Sequence, residues 1–369
     1  MSMRRRRLAC LIGGRHMQKR PFRVLSIDGG GIRGIIPAVW LDKLEDRLEA
    51  RGQTLAKSFD LICGTSTGSI LAAAVACEVP MNQVIAMFRQ RGPEIFRRPT
   101  YKHLLKKLFR ISGVLSANYS HKPLESALRE VLGNVRLNET KTRLCIPAYD
   151  IGHRRTFFFR SYDSDVNRNE IWKACLSSSS APTYFPVYQV ELEDDGERFL
   201  VDGGISANNP SGVGIAEAIA IQRKRSLVDS EDVRPIQLIS MGTGSSTRNL
   251  TPGLKGNKGS AAWASSILDV MFDGSADVSA NIAEQVLDPN AYVRLQFELK
   301  PGLGNDDLDN ASKENMKELQ AAASNYLAKG GKSSFDECLA MLIPPKKRRL
   351  KPPNVIPILP ESGSPPSSV

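Results

Sequence analysis

Short apolar runs alternate with longer amphipathic segments along most of this chain of 369 residues. The short runs have the length of buried strands, and the longer segments repeat apolar residues at helical spacing. Strands are predicted at 23–28, 59–63, 143–150, 156–160, 199–202 and 235–241, and helices at 81–91, 123–132, 170–178 and 212–224. Such alternation indicates a mostly parallel sheet that helices cover on both faces. Residues 263–328 add predicted helices and a strand-like run at 291–298.

The stretch from Phe59 to Ala74 reads as a strand, a turn with the pattern G-x-S-x-G, and a helix. A serine at such a turn has its hydroxyl lifted clear of the backbone, so Ser66 is a candidate nucleophile. Gly64 and Gly68 are expected because larger side chains would collide there. The pattern is common, and a glycine-rich loop without chemistry is the alternative interpretation.

A second glycine motif, Gly29–Gly34, directly follows the first predicted strand. A helix is expected after it, with Pro37 in the first turn and Gly52 past the end. Consecutive glycines expose backbone N–H groups that can hold an oxyanion, and Arg33 adds positive charge. The candidate oxyanion residues are therefore Gly29, Gly30, Gly31 and Arg33.

The same motif also satisfies G-x-G-x-x-G, the dinucleotide-binding pattern. That pattern requires an acidic residue near the end of the second strand. Here the second strand ends in Cys63-Gly64-Thr65-Ser66, so the oxyanion interpretation is favoured.

The run Phe199–Asp202 is predicted to be a strand that ends in an aspartate and a glycine turn, Gly203 and Gly204. Asp202 is the candidate base, because an aspartate at the carboxyl end of a strand faces the functional edge of a parallel sheet. A free aspartate, with a pKa of ~3.9, is a weak base, so geometry must compensate. The four histidines, His16, His103, His121 and His153, do not end strands before glycine turns. A Ser–Asp dyad is favoured, and His153 stays an alternative base.

Three segments, Asp28–Gly34, Gly64–Gly68 and Asp202–Gly204, resemble in order and spacing the patatin-like phospholipase family. Further segments agree with it: Thr156–Asp163, Ala181–Pro186, Ala207–Pro210 and Ser240–Gly244. The resemblance implies a serine lipid acyl hydrolase with Ser66 and Asp202 as a dyad and the glycine loop as oxyanion hole. It implies a three-layer α/β/α sandwich with a mostly parallel central sheet and a C-terminal helical embellishment. Membrane phospholipid is the expected substrate.

No metal or other cofactor is expected, since the chain has neither a paired-cysteine pattern nor H-E-x-x-H. The acidic cluster Asp306, Asp307 and Asp309 lacks the alternating spacing of a calcium loop. It is predicted instead to cap a helix that starts near Ala311. The six cysteines are scattered and are expected to be reduced, intracellular thiols.

The formal net charge of +11 lies entirely at the two ends of the chain. Residues 1–20 carry seven basic residues and no acid, and residues 346–369 carry five basic residues and one acid. This distribution argues against a DNA- or RNA-binding domain and suits an anionic membrane surface. A cytoplasmic protein, peripheral to the inner membrane when active, is expected. Residues 101–110 are predicted to form an amphipathic helix that faces the core or a lipid surface.

Four regions are predicted: a disordered basic arm (1–20), the catalytic domain (21–250), a helical extension packed on it (251–343) and a disordered basic tail (344–369). No apolar run approaches the ~20 residues of a transmembrane helix.

The chain is also similar to the bacterial patatin-like effectors of cyclic-oligonucleotide (CBASS-type) anti-phage signalling. This resemblance implies a cyclic dinucleotide activator, and a homo-oligomer is a further expected partner. Four arginines, Arg33, Arg154, Arg155 and Arg294, are candidates to pair with phosphates. Three alternatives stay open: a differently regulated lipase, a nucleotide-binding oxidoreductase or regulator, and a non-catalytic membrane-binding protein.

Overall fold

The computed structural model describes residues 20–97, 117–193, 195–229, 233–251, 260–300 and 302–343. Most of the predicted basic arm, the predicted helix at 101–110 and the basic tail lie outside these residues. The strands are β1 Phe22–Ile27, β2 Leu61–Gly64, β3 Arg143–Asp150, β4 Arg155–Arg160, β5 Tyr188–Leu192, β6 Gly196–Asp202, β7 Ile236–Met241, β8 Ser245–Ser246, β9 Tyr292–Leu295 and β10 Glu298–Leu299.

The helices begin with α1 Ile35–Glu49, α2 Leu55–Ser58, α3 Thr67–Ala76, α4 Met81–Ile95, α5 His121–Leu132 and α6 Ile171–Ser178. They continue with α7 Gly204–Ala207, α8 Ser211–Asp229, α9 Ser260–Val286, α10 Lys313–Ala328 and α11 Lys332–Leu342. A 3-10 turn over Gly31–Gly34 links the glycine motif to α1.

The central sheet has the strand order β5-β6-β3-β2-β1-β7-β9, with β4 on β3. The five strands from β3 to β9 in this order are mutually parallel, and β4, β5 and β6 pair antiparallel. The predicted α/β fold with a mostly parallel central sheet is therefore confirmed.

Apolar side chains of the sheet alternate between two cores, as a period of two requires when both faces are covered. Along β1, Leu25 and Ile27 join the core beneath α1, α3, α4 and α6. Phe22 and Val24 join the core on the other face, beneath α8 and α9. Helices thus cover both faces of the sheet.

Strands β2 and β6 share one edge of β3. β2 pairs with residues 143–145 of β3, and β6 pairs with residues 148–150. Strand β4 pairs with residues 145–150, so it occupies the opposite edge of β3 from residue 145 onward. Because β2 runs parallel and β6 antiparallel to β3, their carboxyl ends face each other across Ile146 and Pro147. This arrangement positions the candidate site.

The region predicted as a helical extension also contributes to the sheet. Strand β9 pairs in parallel with residues 238–241 of β7. The predicted boundary near residue 250 therefore does not coincide with a break in the sheet, and the boundary itself stays a prediction. In the described part of the chain, no helix is long and apolar enough to span a bilayer.

Candidate active site

Ser66 lies at a sharp turn between β2 and α3, with φ at +53°. This backbone conformation is uncommon for a residue with a side chain, and it is the strain expected of a nucleophile elbow. A Cβ atom on Gly64 would collide with the Gly68 carbonyl, and one on Gly68 with the Ile27 carbonyl. Only glycine fits at either position, because backbone approaches backbone there.

The hydroxyl of Ser66 donates a hydrogen bond of 2.7 Å to Oδ2 of Asp202. The other carboxylate oxygen, Oδ1, accepts 2.7 Å from the Gly204 amide. Asp202 is fully buried. Burial raises the pKa of Asp202 to about 7, although both hydrogen bonds act in the opposite direction. The carboxylate therefore has a proton affinity suited to a general base near neutral pH. The sequence alone suggested that geometry would have to compensate for the weak basicity of an aspartate, whereas burial raises that basicity directly.

Asp202 reaches Ser66 from a strand outside the parallel part of the sheet. It ends β6, which is antiparallel to β3, and lies opposite Ala148. The aspartate still lies at the carboxyl edge of the parallel strands, as expected, because the end of β6 meets the end of β2. A Cβ atom on Gly203 would overlap the Pro147 carbonyl, so this glycine permits the close approach of the base to β3.

Ser178, at the end of α6, fills the gap between the two strand ends. Its hydroxyl accepts 2.9 Å from the Ser66 amide and donates 2.6 Å to the Pro147 carbonyl. One side chain thus ties the nucleophile's backbone to the strand on which the base is aligned. Sequence reasoning missed Ser178, since no motif marks it.

The glycine loop lies beside the nucleophile, and the ideal Cβ position of Gly29 is 3.1 Å from Cβ of Ser66. The Gly29 amide, however, donates 2.9 Å to the Asn208 carbonyl. The Gly29 amide is therefore already engaged, and we leave it out of the proposed oxyanion hole. Its carbonyl accepts 2.8 Å from the hydroxyl of Thr243, which anchors the loop.

Three nearby amides are free to serve an oxyanion. The Gly30, Gly31 and Thr67 amides donate to no acceptor among the described residues. Gly31 has φ of +56° and lines the same cavity as Ser66 and Thr67. Thr67 was missed, although its position directly after the nucleophile is a recognised source of an oxyanion donor.

Arg33 does not line this cavity. Its side chain is buried and donates 3.2 Å to the Gly244 carbonyl. Burial lowers the pKa of Arg33, and nearby carboxylates, foremost Asp273, oppose that shift. Because its guanidinium is engaged with the backbone beyond β7, we leave Arg33 out of the proposed oxyanion hole.

A narrow cavity of about 60 Å³ opens beside Ser66 and Asp202. Its walls are mainly apolar and come from α4, α5, the segment after α6, and the C-terminal region. They include Met87, Phe88, Ile95, Phe96, Leu124, Ala181, Phe185, Phe272 and Leu308. Phe272 and Leu308 show that the C-terminal region helps to cover the site, one of the roles open from sequence.

The two described histidines have other partners. His153 Nδ1 lies 2.9 Å from Oδ2 of Asp150, and its side chain is exposed. His121 Nε2 lies 3.0 Å from the hydroxyl of Ser180. Burial lowers the pKa of His121. His16 and His103 lie outside the described residues.

The acidic cluster of the C-terminal region does not cap a helix as predicted. Asp306 and Asp307 lie within 3.6 Å and 3.1 Å of the Arg248 guanidinium. Helix α10 is capped instead by Ser312, whose hydroxyl accepts 3.2 Å from the Asn315 amide. Among the described residues, no group of three His, Cys, Asp or Glu side chains is arranged to hold a metal ion.

Comparison with known proteins identifies the family of this chain. A model of the patatin-like phospholipase family matches residues 25–213. Patatin-like protein 1 of Arabidopsis thaliana is 30% identical over 338 residues, 82% of this chain and 81% of that protein. Patatin-T5 of Solanum tuberosum is 31% identical over 332 residues, 83% of each chain. The chain belongs to the patatin-like phospholipase family, and it is a hydrolase of lipid esters.

Among solved structures, human GIVD cytosolic phospholipase A2 aligns with 87% of this chain and 60% of its own. The TM-score is 0.44 and the sequence identity is 11%.

Proposed function

We propose that this protein hydrolyses the fatty-acyl esters of membrane phospholipids, with Ser66 as nucleophile and Asp202 as general base. The observation that carries the proposal is the 2.7 Å hydrogen bond between the two side chains. The raised pKa of Asp202, about 7, supports its role as a base. The apolar cavity beside them favours a fatty acyl chain over a polar substrate.

In the first half of the reaction, Asp202 takes the Ser66 proton as Oγ attacks the ester carbonyl carbon. The carbonyl oxygen becomes an oxyanion, which the amides of Gly30, Gly31 and Thr67 stabilise. When the intermediate collapses, the C–O bond to the leaving group breaks. The protonated Asp202 returns its proton to the departing lysophospholipid hydroxyl, and an acyl-enzyme remains.

In the second half, a water molecule takes the place of the lysophospholipid. Asp202 accepts a proton from this water as its oxygen attacks the acyl carbon, and the same amides hold the second oxyanion. Collapse breaks the bond to Ser66 Oγ, which regains a proton from Asp202. The fatty acid leaves, and both residues return to their starting state.

We further propose that a cyclic dinucleotide switches the enzyme on in bacterial anti-phage defence. The enzyme would act at the cytoplasmic surface of the inner membrane, and it would assemble as a homo-oligomer. This part rests on the sequence resemblance to bacterial effectors of that signalling system. The basic residues at both ends of the chain favour contact with an anionic bilayer.

The test is fatty-acid release from mixed phosphatidylethanolamine and phosphatidylglycerol vesicles, with and without a panel of cyclic dinucleotides. The variants are Ser66→Ala, Asp202→Asn and, as a matched control on an exposed serine, Ser164→Ala. Fatty-acid release by wild type and Ser164→Ala, without release by Ser66→Ala or Asp202→Asn, supports the dyad. Release that needs a cyclic dinucleotide supports the switch, and release without one removes it. No release by folded wild type under any condition contradicts the enzymatic proposal.

A further inference from the structure

A second cavity, of about 430 Å³, lies at the other end of the central strands from Ser66. It is formed at the amino ends of β2 and β3 and at the carboxyl end of β4. Its lining residues are Ala56, Lys57, Phe59, Asp60, Asn138, Thr140, Lys141, Thr142, Arg143, Ser161 and Tyr162. We call it the basal cleft. Its volume falls within the roughly 300–1,000 Å³ range of small-molecule sites.

Three cations of the basal cleft lack partners. The side chains of Lys57, Lys141 and Arg143 make no hydrogen bond or ion pair with any described residue. The one carboxylate of the cleft, Asp60, is already bound by Arg20 at 2.7 Å and by Arg234 at 3.1 Å. Among the described residues, no carboxylate is therefore paired directly with these three cations, although Asp60 lies near enough to attract Arg143.

Arg143 is the half-buried member of this group. Burial lowers the pKa of Arg143, and the nearby charge of Arg225 lowers it further, while Asp60 opposes both. A guanidinium held among like charges and partly out of water is destabilised unless an anion joins it. Geometry and charge together thus favour an anionic ligand at this point.

The neutral polar groups of the cleft are largely occupied. Thr142 donates to the Ala56 carbonyl, and Ser161 accepts 3.0 Å from the Leu144 amide. Tyr162 donates 2.8 Å to Glu217. The free donors left to a ligand are mainly the three cations, so the ligand must bring several acceptor oxygens. Phosphate groups meet that requirement, and Arg binds them in a bidentate manner.

We propose that the basal cleft binds a phosphorylated small molecule of about nucleotide size, with its phosphates held by Lys57, Lys141 and Arg143. The ligand is not the substrate, because the cleft and Ser66 lie at opposite ends of β2. One lipid molecule cannot occupy both places. Binding at the cleft is also independent of whether the protein catalyses ester hydrolysis. Phosphate of this kind comes from a free metabolite or from a lipid headgroup, and the position away from the acyl cavity favours the free compound.

The experiment measures binding by calorimetry to the full chain carrying Ser66→Ala, so that turnover does not interfere. The probes are pyrophosphate, a nucleoside diphosphate, a cyclic dinucleotide and vesicles that contain phosphatidic acid. The variants Arg143→Gln and Lys57→Gln/Lys141→Gln are compared with two exposed controls outside the cleft, Lys313→Gln and Lys317→Gln. If Arg143→Gln unfolds, the double variant Lys57→Gln/Lys141→Gln still tests the cleft, because both lysines are exposed.

Binding of a soluble probe that falls at least ~10-fold in the cleft variants, and not in the controls, supports the proposal. Binding of vesicles alone with the same variant pattern supports the phosphate site and makes a lipid headgroup its source. No binding of any probe overturns the proposal. An equal loss in Lys313→Gln or Lys317→Gln also overturns it, since the effect then reflects net charge.

Discussion

Asp28 and Arg294 form a two-point ion pair beneath the glycine loop. Arg294 Nη2 lies 2.6 Å from Oδ2 and Nη1 lies 3.3 Å from Oδ1 of the Asp28 carboxylate. Burial raises the pKa of Asp28, and the guanidinium opposes that shift. Arg294 lies on β9, beyond the segment 25–213 that the family model matches. The C-terminal region therefore anchors Asp28, the residue directly before the glycine loop.

Replacing Arg294 by Ala leaves the Asp28 carboxylate buried without its cation. We expect a loss of roughly 3 kcal/mol in the free energy of unfolding, the lower end for a broken buried pair because Arg294 is partly exposed. Denaturant unfolding measures this loss, with Arg155→Ala as an exposed control. Equal stability of the two variants contradicts the assignment. Activity should fall even at temperatures where Arg294→Ala stays folded, because the loop loses its anchor.

The rate should depend on pH through Asp202, whose pKa is about 7. Only the ionised carboxylate accepts the Ser66 proton, so kcat/KM should rise about tenfold per pH unit below the pKa and level off above it. A pH–rate profile with a soluble short-chain ester tests this without vesicle effects. A flat profile between about pH 5 and about pH 9 would exclude Asp202 as the titrating base.

The same carboxyl group should make wild-type stability fall as pH rises. Its pKa is raised in the folded state from 3.8 to about 7, so folding favours the protonated form. The stability linked to this group is full at low pH and is lost as the pH rises through about 7. Asp202→Asn carries no such charge. We expect it to melt above wild type at about pH 8, by at least ~2 °C, with a smaller difference at about pH 5.

Melting curves at the two pH values check this expectation, with the exposed substitution Asp336→Asn as control. A difference that does not change with pH would mean that Asp202 is not buried as an anion. A similar pH dependence in Asp336→Asn would assign the effect to net charge.

The backbone of Ser66 offers a matched pair of inactive variants. Ser66→Gly and Ser66→Ala both remove the nucleophile, but only glycine adopts the φ of +53° without strain. Such strain costs about 1–3 kcal/mol, which exceeds the entropic disadvantage of glycine. Ser66→Gly should therefore unfold at the higher temperature. The reverse order in calorimetry would show that the elbow is unstrained.

The nucleophile elbow and the glycine loop are readable from sequence because each is a local conformation. Gly64 and Gly68 fit backbone approaches that arise within one strand-turn-helix unit. The local sequence does not tell which amides of the glycine loop are free, as those of Gly30 and Gly31 are, and which is engaged, as that of Gly29 is. The bond from Gly29 to Asn208 joins positions far apart in the chain, so only the folded structure identifies the occupied donor.

The parts that sequence reasoning missed depend on long-range packing or on short elements. Phe272 and Leu308 reach the cavity from the C-terminal region, and Lys57, Lys141 and Arg143 converge from two separate segments without a motif. Strand β5 had a usable signal, since apolar residues alternate with polar ones along Tyr188–Leu192. Its direction, and that of β6, depends on pairing that a single sequence does not encode locally.

The shared edge of β3 has a consequence for how this protein tolerates change. β2 and β6 stop on either side of Ile146 and Pro147, and Pro147 lacks an N–H that a strand there would need. One residue added or removed between the two registers would shift the base by about 3.3 Å along β3, farther than a hydrogen bond can stretch. β3 contributes neither nucleophile nor base, yet its length at this point fixes the distance between them. An insertion between residues 145 and 148 would thus separate the two side chains without changing either of them.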